Sequence, residues 1–241
     1  MGIPQFASIR QHEHHALVEM TLRACELAKQ AVASAADAFA SGSEAPFIAV
    51  TECEKELDRL DYEMDQRVTA AVSQAEPEQV RELLTCMKFM VDLERIGDLI
   101  WSLVGCARAV QSRINMEDIN DLLRISAILE KMLENARKAF AHRDLEPAIA
   151  ILRADSEIDR IRNLILIRHV EDNPAGSSQQ SIHVMFMAQA LERAGDHAKN
   201  LAEEVCHLVS GRSVRHVMRE SDRSNEQMYL KYLKDHVVGA K

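Results

Sequence analysis

Residues 92–98 read DLERIGD, and most of that phrase returns at residues 191–196 as LERAGD. The segments before them also correspond, because ELDRL at 56–60 is answered by EIDRI at 157–161. The first match has an offset of 98 residues and the second an offset of 101, a difference that a change in one loop explains. Two matched phrases in the same order indicate an internal duplication of one structural unit.

The composition predicts that this unit is helical. Hydrophobic residues make up 47% of the 241 residues and aromatic residues only 4%, and Ala, Leu, Glu, Arg and Met are abundant. The 8 glycines and 5 prolines stand mainly at breaks between amphipathic stretches. These breaks predict six helices, at about residues 8–41, 45–75, 77–113, 116–143, 145–172 and 178–210.

The predicted fold is therefore all-α, with two tandem three-helix bundles and a short C-terminal extension. Loops this short make neighbouring helices antiparallel. The first repeat spans residues 8–113 and the second residues 116–212, and residues 213–241 form a tail. A weaker helix is predicted within this tail, at about 223–238.

Charge and hydropathy exclude several classes of partner. The formal net charge is −9, which argues against nucleic acid as a partner. No apolar run approaches the roughly 18 residues that a membrane span needs, and residues 1–6 do not resemble a signal peptide, so we expect a cytoplasmic protein without direct membrane insertion. The 5 cysteines form no CxxC pair and are expected to be reduced thiols in the core.

The repeated phrase carries two carboxylates four residues apart. Glu94 with Asp98, and Glu192 with Asp196, each point two acids in one direction from a helix. In the third helix this pair interrupts an apolar row of Val80, Leu84, Met87, Val91 and Trp101. In the sixth helix the pair stands on a polar flank, so the second pair is expected to lie nearer solvent.

The second and fifth helices carry matching acids. Glu54, Asp58, Asp61 and Asp65 share one face of the second helix, and the fifth helix has Asp155 and Asp159. Side-by-side packing of the helices in each repeat would bring together two clusters of four carboxylates, namely Glu54, Asp58, Glu94 and Asp98, and Asp155, Asp159, Glu192 and Asp196. Clusters of carboxylates suit hard cations such as Mg²⁺, Mn²⁺, Ca²⁺ or iron. Alternatively, these acids pair with nearby arginines on solvated helix faces.

Gly97 and Gly195 stand in the middle of predicted helices, where each costs about 1 kcal/mol relative to alanine. A close approach of two helices beside the carboxylates would explain why both repeats have a glycine at this unfavourable position. Such an approach predicts either a metal site or a tight crossing without a ligand.

The phrase at 92–98 resembles the third-helix signature of the PhoU family, cytoplasmic regulators of bacterial phosphate uptake. The second copy is similar over a longer stretch, from 171–174 through 191–203 to 211–216. The resemblance covers about residues 50 to 216. It implies two three-helix bundles side by side, whose ExxxD pairs can hold Mg, Mn or Fe ions, single or in multinuclear clusters.

The resemblance also implies a role. Proteins of this family repress the phosphate-starvation response when phosphate is plentiful, by linking the phosphate ABC transporter, through its ATPase, to a membrane-bound sensor histidine kinase. They are described as homodimers without enzymatic activity. We therefore expect this chain to be a metal-binding negative regulator of phosphate uptake and not an enzyme.

The first repeat departs from the family pattern. Ile100 and Ser102 stand where the second repeat has the small residue Ala198 and Asn200, and Trp101 adds bulk beside them. These departures predict an altered or weakened first site.

Two rival functions fit an acidic helical protein. A carboxylate-bridged di-iron enzyme needs paired Glu-x-x-His motifs, but the single motif, Glu204 and His207, is matched by Cys106 and Ala109 in the first repeat. The other rival is an adaptor that binds no metal.

Overall fold

In a computed structural model, residues 4–41, 43–110, 114–171 and 179–211 are described. They form six α-helices, namely α1 (Pro4–Ser41), α2 (Glu44–Val72), α3 (Pro77–Val110), α4 (Met116–His142), α5 (Leu145–Glu171) and α6 (Gln179–Ser210). The all-α fold and the predicted order of helices are confirmed. The predicted helix at 223–238 lies outside the described residues, as does the predicted end of the third helix at 113.

Local signals explain where the helices begin and end. Pro77 begins α3, where its missing N–H costs no helical hydrogen bond. The Asn115 side chain caps α4 by accepting a hydrogen bond of 2.7 Å from the Asp118 amide. At the other end of α4, Arg143 adopts the left-handed conformation with φ of 52°.

Each repeat packs as a three-helix bundle, α1 to α3 in the first and α4 to α6 in the second. The bundles lie against each other through α3 with α6 and through α1 with α4. Buried side chains of both bundles form one continuous hydrophobic core. Polar contacts cross this interface at its edge, for example Lys29 on α1 with Glu134 on α4 at 3.0 Å.

The interface between α3 and α6 includes a partly buried polar cluster. Asp92 accepts a hydrogen bond of 3.1 Å from the Asn200 amide, and its carboxylate lies 2.7 Å from Nδ1 of His197. One turn away, Lys88 lies 2.8 Å from Glu204. These pairs show that α3 and α6 run antiparallel, and they hold the two repeats in register.

The apolar row of α3 faces solvent and not the core. Leu84, Met87, Val91 and Trp101 are 46%, 38%, 48% and 50% exposed. The core side of α3 is built by other residues, including Leu83, Phe89, Leu93, Ile96 and Ile100. The acids of this helix therefore interrupt an exposed apolar face.

Candidate metal centre

Two glycines allow the second and third helices of each repeat to approach closely. A Cβ atom added at Gly97 would lie 2.7 Å from Cδ1 of Leu57 on α2. A Cβ at Gly195 would lie 3.0 Å from Cδ1 of Ile158 on α5. Leu57 and Ile158 are themselves buried. The close approach predicted from the two glycines is confirmed, and it places the neighbouring carboxylates across a narrow seam between the two helices.

In the first repeat this seam gathers three of the four predicted acids. Carboxylate oxygens of Glu54, Asp58 and Asp98 all lie within 4.8 Å of one another. Glu94, one turn before Asp98, is not part of this set of three but adjoins it. We call these four residues the first cluster. Oxygen atoms at such spacings can be drawn around one hard cation, which takes its ligands at about 2.0–2.6 Å.

Electrostatics show that the acids of the first cluster repel one another. Burial, and then the charges of Asp58 and Asp98, raise the pKa of Glu54. Burial and the charge of Asp98 raise the pKa of Glu94. Beside the cluster, burial and the charges of Asp65 and Asp58 raise the pKa of Asp61. A cation bound here would relieve this repulsion.

Arginine contacts the first cluster only at its edge. Arg95 lies 3.2 Å from Asp98 and 3.5 Å from Glu94, and its side chain is largely exposed. Arg59, another arginine that could have neutralised these acids, instead binds Glu56 and Glu63 on its own helix. The expectation that arginines pair with the acids therefore holds for Arg95 but not for Arg59.

The second repeat places two cations inside its own group of acids, Asp155, Asp159, Glu192 and Asp196, here called the second cluster. Lys199 donates a hydrogen bond of 2.5 Å to Asp155. Arg162 donates one of 2.7 Å to Glu192. Burial alone would lower the pKa of Lys199, but the hydrogen bond to Asp155 and the neighbouring acids raise it, so the ammonium group stays charged.

The remaining oxygen of Glu192 is also engaged. Gln189 donates to it a hydrogen bond of 2.5 Å. Burial and the neighbouring carboxylates still raise the pKa of Asp159 and of Asp196. The second cluster therefore holds four neighbouring carboxyl groups, and side chains of its own repeat donate hydrogen bonds to two of them.

The duplication shows why the clusters differ. Lys199, Arg162 and Gln189 donate to the second cluster, and the residues at the corresponding positions of the first repeat are Trp101, Asp61 and Val91. None of those three side chains carries a positive charge. The first cluster thus lacks each of the three groups that satisfy the second.

The exposure predicted for the second pair is wrong for one residue. Asp196 is exposed, as expected. The side chain of Glu192 is only 12% exposed, less than the 21% of Glu94. Arg162 reaches across from α5 and covers it, a contact that the pattern of a single helix does not reveal.

The five cysteines are free, and four of them are buried as the sequence predicted, whereas Cys106 is only partly buried. Burial raises the pKa of Cys25, Cys86 and Cys206 to about 12, so these thiols are not ionised near neutral pH. Lys199 is a functional residue that was not predicted from the sequence. Comparing the two repeats position by position, at Trp101 and Lys199, would have shown it.

Fold and site define a class: an all-α protein with a duplicated three-helix bundle and acidic clusters where the second and third helices of each bundle meet. The family model described as PhoU domain matches the chain twice, at residues 21–106 and 122–205. The chain belongs to the PhoU family.

Curated relatives agree with this assignment. The phosphate-specific transport system accessory protein PhoU homolog 1 of Thermotoga maritima is 30% identical over 184 residues, which cover 73% of this chain and 78% of that protein. The PhoU homolog of Pseudomonas aeruginosa is 28% identical over 188 residues, covering 73% of this chain and 76% of that protein. Both names describe accessory proteins and not enzymes.

Solved structures have the same fold. The crystal structure of PhoU from Pseudomonas aeruginosa matches with a TM-score of 0.78 at 23% identity, covering 84% of this chain and 99% of that one. The regulatory protein PhoU from Streptococcus pneumoniae matches with a TM-score of 0.76 at 20% identity, covering 85% and 99%. In the described part of this chain, no helix is both long and apolar enough to cross a membrane.

Proposed function

We propose that this chain is a cytoplasmic negative regulator of phosphate uptake and of the phosphate-starvation response. In this role it links the ATPase of a phosphate ABC transporter to a sensor histidine kinase, acts as a homodimer and catalyses no reaction. Membership of the PhoU family and the names of the relatives, accessory proteins of phosphate-specific transport systems, support the role in phosphate transport.

We further propose that the first cluster binds a divalent cation, with Mn²⁺, Mg²⁺ and Fe²⁺ as candidates. One observation carries this proposal: oxygens of Glu54, Asp58 and Asp98 converge within 4.8 Å, and Arg95 reaches Asp98 only from the exposed edge. An all-carboxylate set suits these hard ions, whereas zinc prefers nitrogen and sulfur ligands. Glu94 adjoins the set, because the charges of Asp98 and Asp58 act on its carboxyl group.

The bound cation would act on the surface of the first bundle. Because the acids come from both α2 and α3, a shared ion draws the two helices together and removes the repulsion that raises the pKa of Glu54 and Glu94. The stiffened seam then presents a defined surface to the transporter and the kinase. The protein supplies ligands and shape, and no bond of a substrate is made or broken.

In the second cluster, Lys199 and Arg162 perform the neutralisation that a metal performs in the first. The ammonium group of Lys199 occupies the side of Asp155 where an ion would bind. We therefore assign metal binding to the first repeat, and a metal-independent structural role to the second. Of the altered residues that predicted a weakened first site, Trp101 stands where the second repeat has Lys199, so the first site lacks that cation.

The di-iron alternative has little support from the geometry. Glu204 of the single Glu-x-x-His motif is buried and lies 2.8 Å from the Lys88 ammonium group. His207 lies 3.9 Å from Glu204 at the helix surface. An adaptor without metal is the remaining rival.

The test uses matched charge-neutral variants of the two clusters. Asp58→Asn with Asp98→Asn changes the first cluster, and Asp159→Asn with Asp196→Asn changes the corresponding acids of the second. Elemental analysis and Mn²⁺ titration should show loss of bound metal in the first variant only. Expression of a phosphate-starvation reporter in cells that contain each variant measures repression.

The expected result is that the first variant folds, binds no metal and fails to repress, whereas the second retains both metal and repression. Full repression by a folded, metal-free first variant would favour the adaptor without metal. Absence of metal from wild type, even after reconstitution, would refute metal binding and leave the regulatory role resting on the family.

A further inference from the structure

The exposed apolar stripe of α3 lies where the described chain ends. This stripe, defined as Leu84, Met87 and Val91, is about 10 Å long because seven residues of helix rise 1.5 Å each. A Cβ atom added at Gly211, the last described residue, would lie 3.7 Å from the Arg81 guanidinium group, one turn before Leu84. The described chain therefore ends next to the stripe.

The segment after Gly211 has the composition of an amphipathic partner. Leu230, Leu233 and Val237 recur at spacings of three and four, which would place them on one face of the helix predicted at 223–238. This segment also lies beyond the family match, which ends at residue 205.

Charge also favours this pairing. Residues 212–241 contain seven Lys or Arg and four Asp or Glu, a net charge of +3 in a chain whose total is −9. On α2, the charge of Asp61 acts on Glu94, which follows Val91 on α3, and the charge of Asp65 contributes to the raised pKa of Asp61. Lys231 and Lys234, which flank Leu233, would meet these acids.

Distance distinguishes this surface from the exposed apolar residues Ile182 and Phe186. Ile182 and Phe186 lie at the opposite end of α6, and 25 residues of helix put Phe186 about 38 Å from Gly211. A random coil of 11 residues, the number between Gly211 and the predicted helix, spans on average about 17–20 Å. The stripe begins within this distance of Gly211, whereas Phe186 lies about twice as far away.

We propose that the C-terminal segment 212–241 docks on the stripe of its own chain, with Leu230, Leu233 and Val237 against Leu84, Met87 and Val91. The docked segment covers the face of α3 that leads to Glu94 and Asp98. It therefore competes with any partner protein that binds this face. This intramolecular occupant does not depend on the first cluster holding a metal.

The test measures protection of the stripe in the full-length chain. M87C introduces a thiol in the stripe, and its rate of alkylation by N-ethylmaleimide is followed by peptide mass spectrometry. The same rate is measured in a chain that also carries L230D and L233D, which prevent docking without touching the bundle. F186C, at a position that is 60% exposed and out of reach, is the control.

A stripe that is covered nine-tenths of the time reacts about tenfold more slowly than an open one. We therefore expect M87C to react about tenfold faster once L230D and L233D are present, at every protein concentration, with no change for F186C. Equal rates for M87C with and without the tail substitutions would overturn the proposal. Protection that disappears on dilution would also overturn it, because the occupant would then be a second copy of the chain.

Discussion

Replacing Lys199 should convert the second cluster into a metal site. The Lys199 side chain is 30% exposed and Asp155 is 12% exposed, so their pair at 2.5 Å is partly buried. Removing one partner of a fully buried pair costs about 3–5 kcal/mol, and exposed pairs contribute about 0–1 kcal/mol. For Lys199→Ala we expect a loss of about 2 kcal/mol in the free energy of unfolding, or roughly 4–8 °C in Tm.

The loss should be recovered by metal. Without Lys199, Asp155 faces Asp159 and Asp196 with no ammonium group beside it, as the acids of the first cluster do, while Arg162 still binds Glu192. Thermal unfolding with EDTA and with MnCl₂ measures the recovery, and isothermal titration calorimetry measures stoichiometry. We expect one Mn²⁺ site per wild-type chain and a second site in the Lys199→Ala variant.

Lys88→Ala is the matched control. Lys88 also binds a buried acid on α6, Glu204 at 2.8 Å, but outside both clusters. Its removal should lower Tm, and MnCl₂ should raise the Tm of this variant only by as much as it raises the Tm of wild type. A Lys199→Ala variant that is destabilised but gains no Mn²⁺ site would refute the idea that Lys199 stands in for a metal.

Two further predictions concern the seam between α2 and α3. Gly97→Ala should lower Tm and weaken Mn²⁺ binding, because the new Cβ atom would lie 2.7 Å from the buried side chain of Leu57. Overpacking of this kind destabilises the fold by about 1–3 kcal/mol, which outweighs the gain of about 1 kcal/mol in helix propensity. Gly105→Ala, in the same helix with nothing within 4 Å of its added Cβ, should raise Tm, and a rise in Tm for both variants would contradict the close approach. Metal should also change how the stability of the fold depends on pH. Folding raises the pKa of Glu54 and Glu94 above 4.5, so the metal-free protein loses stability as pH rises from that value. At a hundredfold excess over Kd, Mn²⁺ should therefore raise Tm by about 5–10 °C at neutral pH and progressively less toward pH 4.5, and a gain independent of pH would point to binding elsewhere.

The repeated phrase around Glu94 and Glu192 and the spacing of Pro and Gly were enough to predict the helices and the duplication. Helix formation and capping depend on residues a few positions apart, so a single sequence carries that information. Gly97 and Gly195 likewise predicted the helix crossings, because a mid-helix glycine is costly unless a neighbour needs the space.

The sequence also determined which acids share a helix face, but not what stands opposite them. Contacts between Lys199 and Asp155, and between Arg162 and Glu192, join residues 44 and 30 positions apart. Whether those side chains reach the acids depends on how α5 packs against α6. The apolar row of α3 illustrates the same limit, since Leu84 and Val91 proved exposed while Leu83 and Phe89 took the core. The helix pattern of α3 presents more than one apolar face, and only the packing of α1, α2 and α6 around it decides which face is buried.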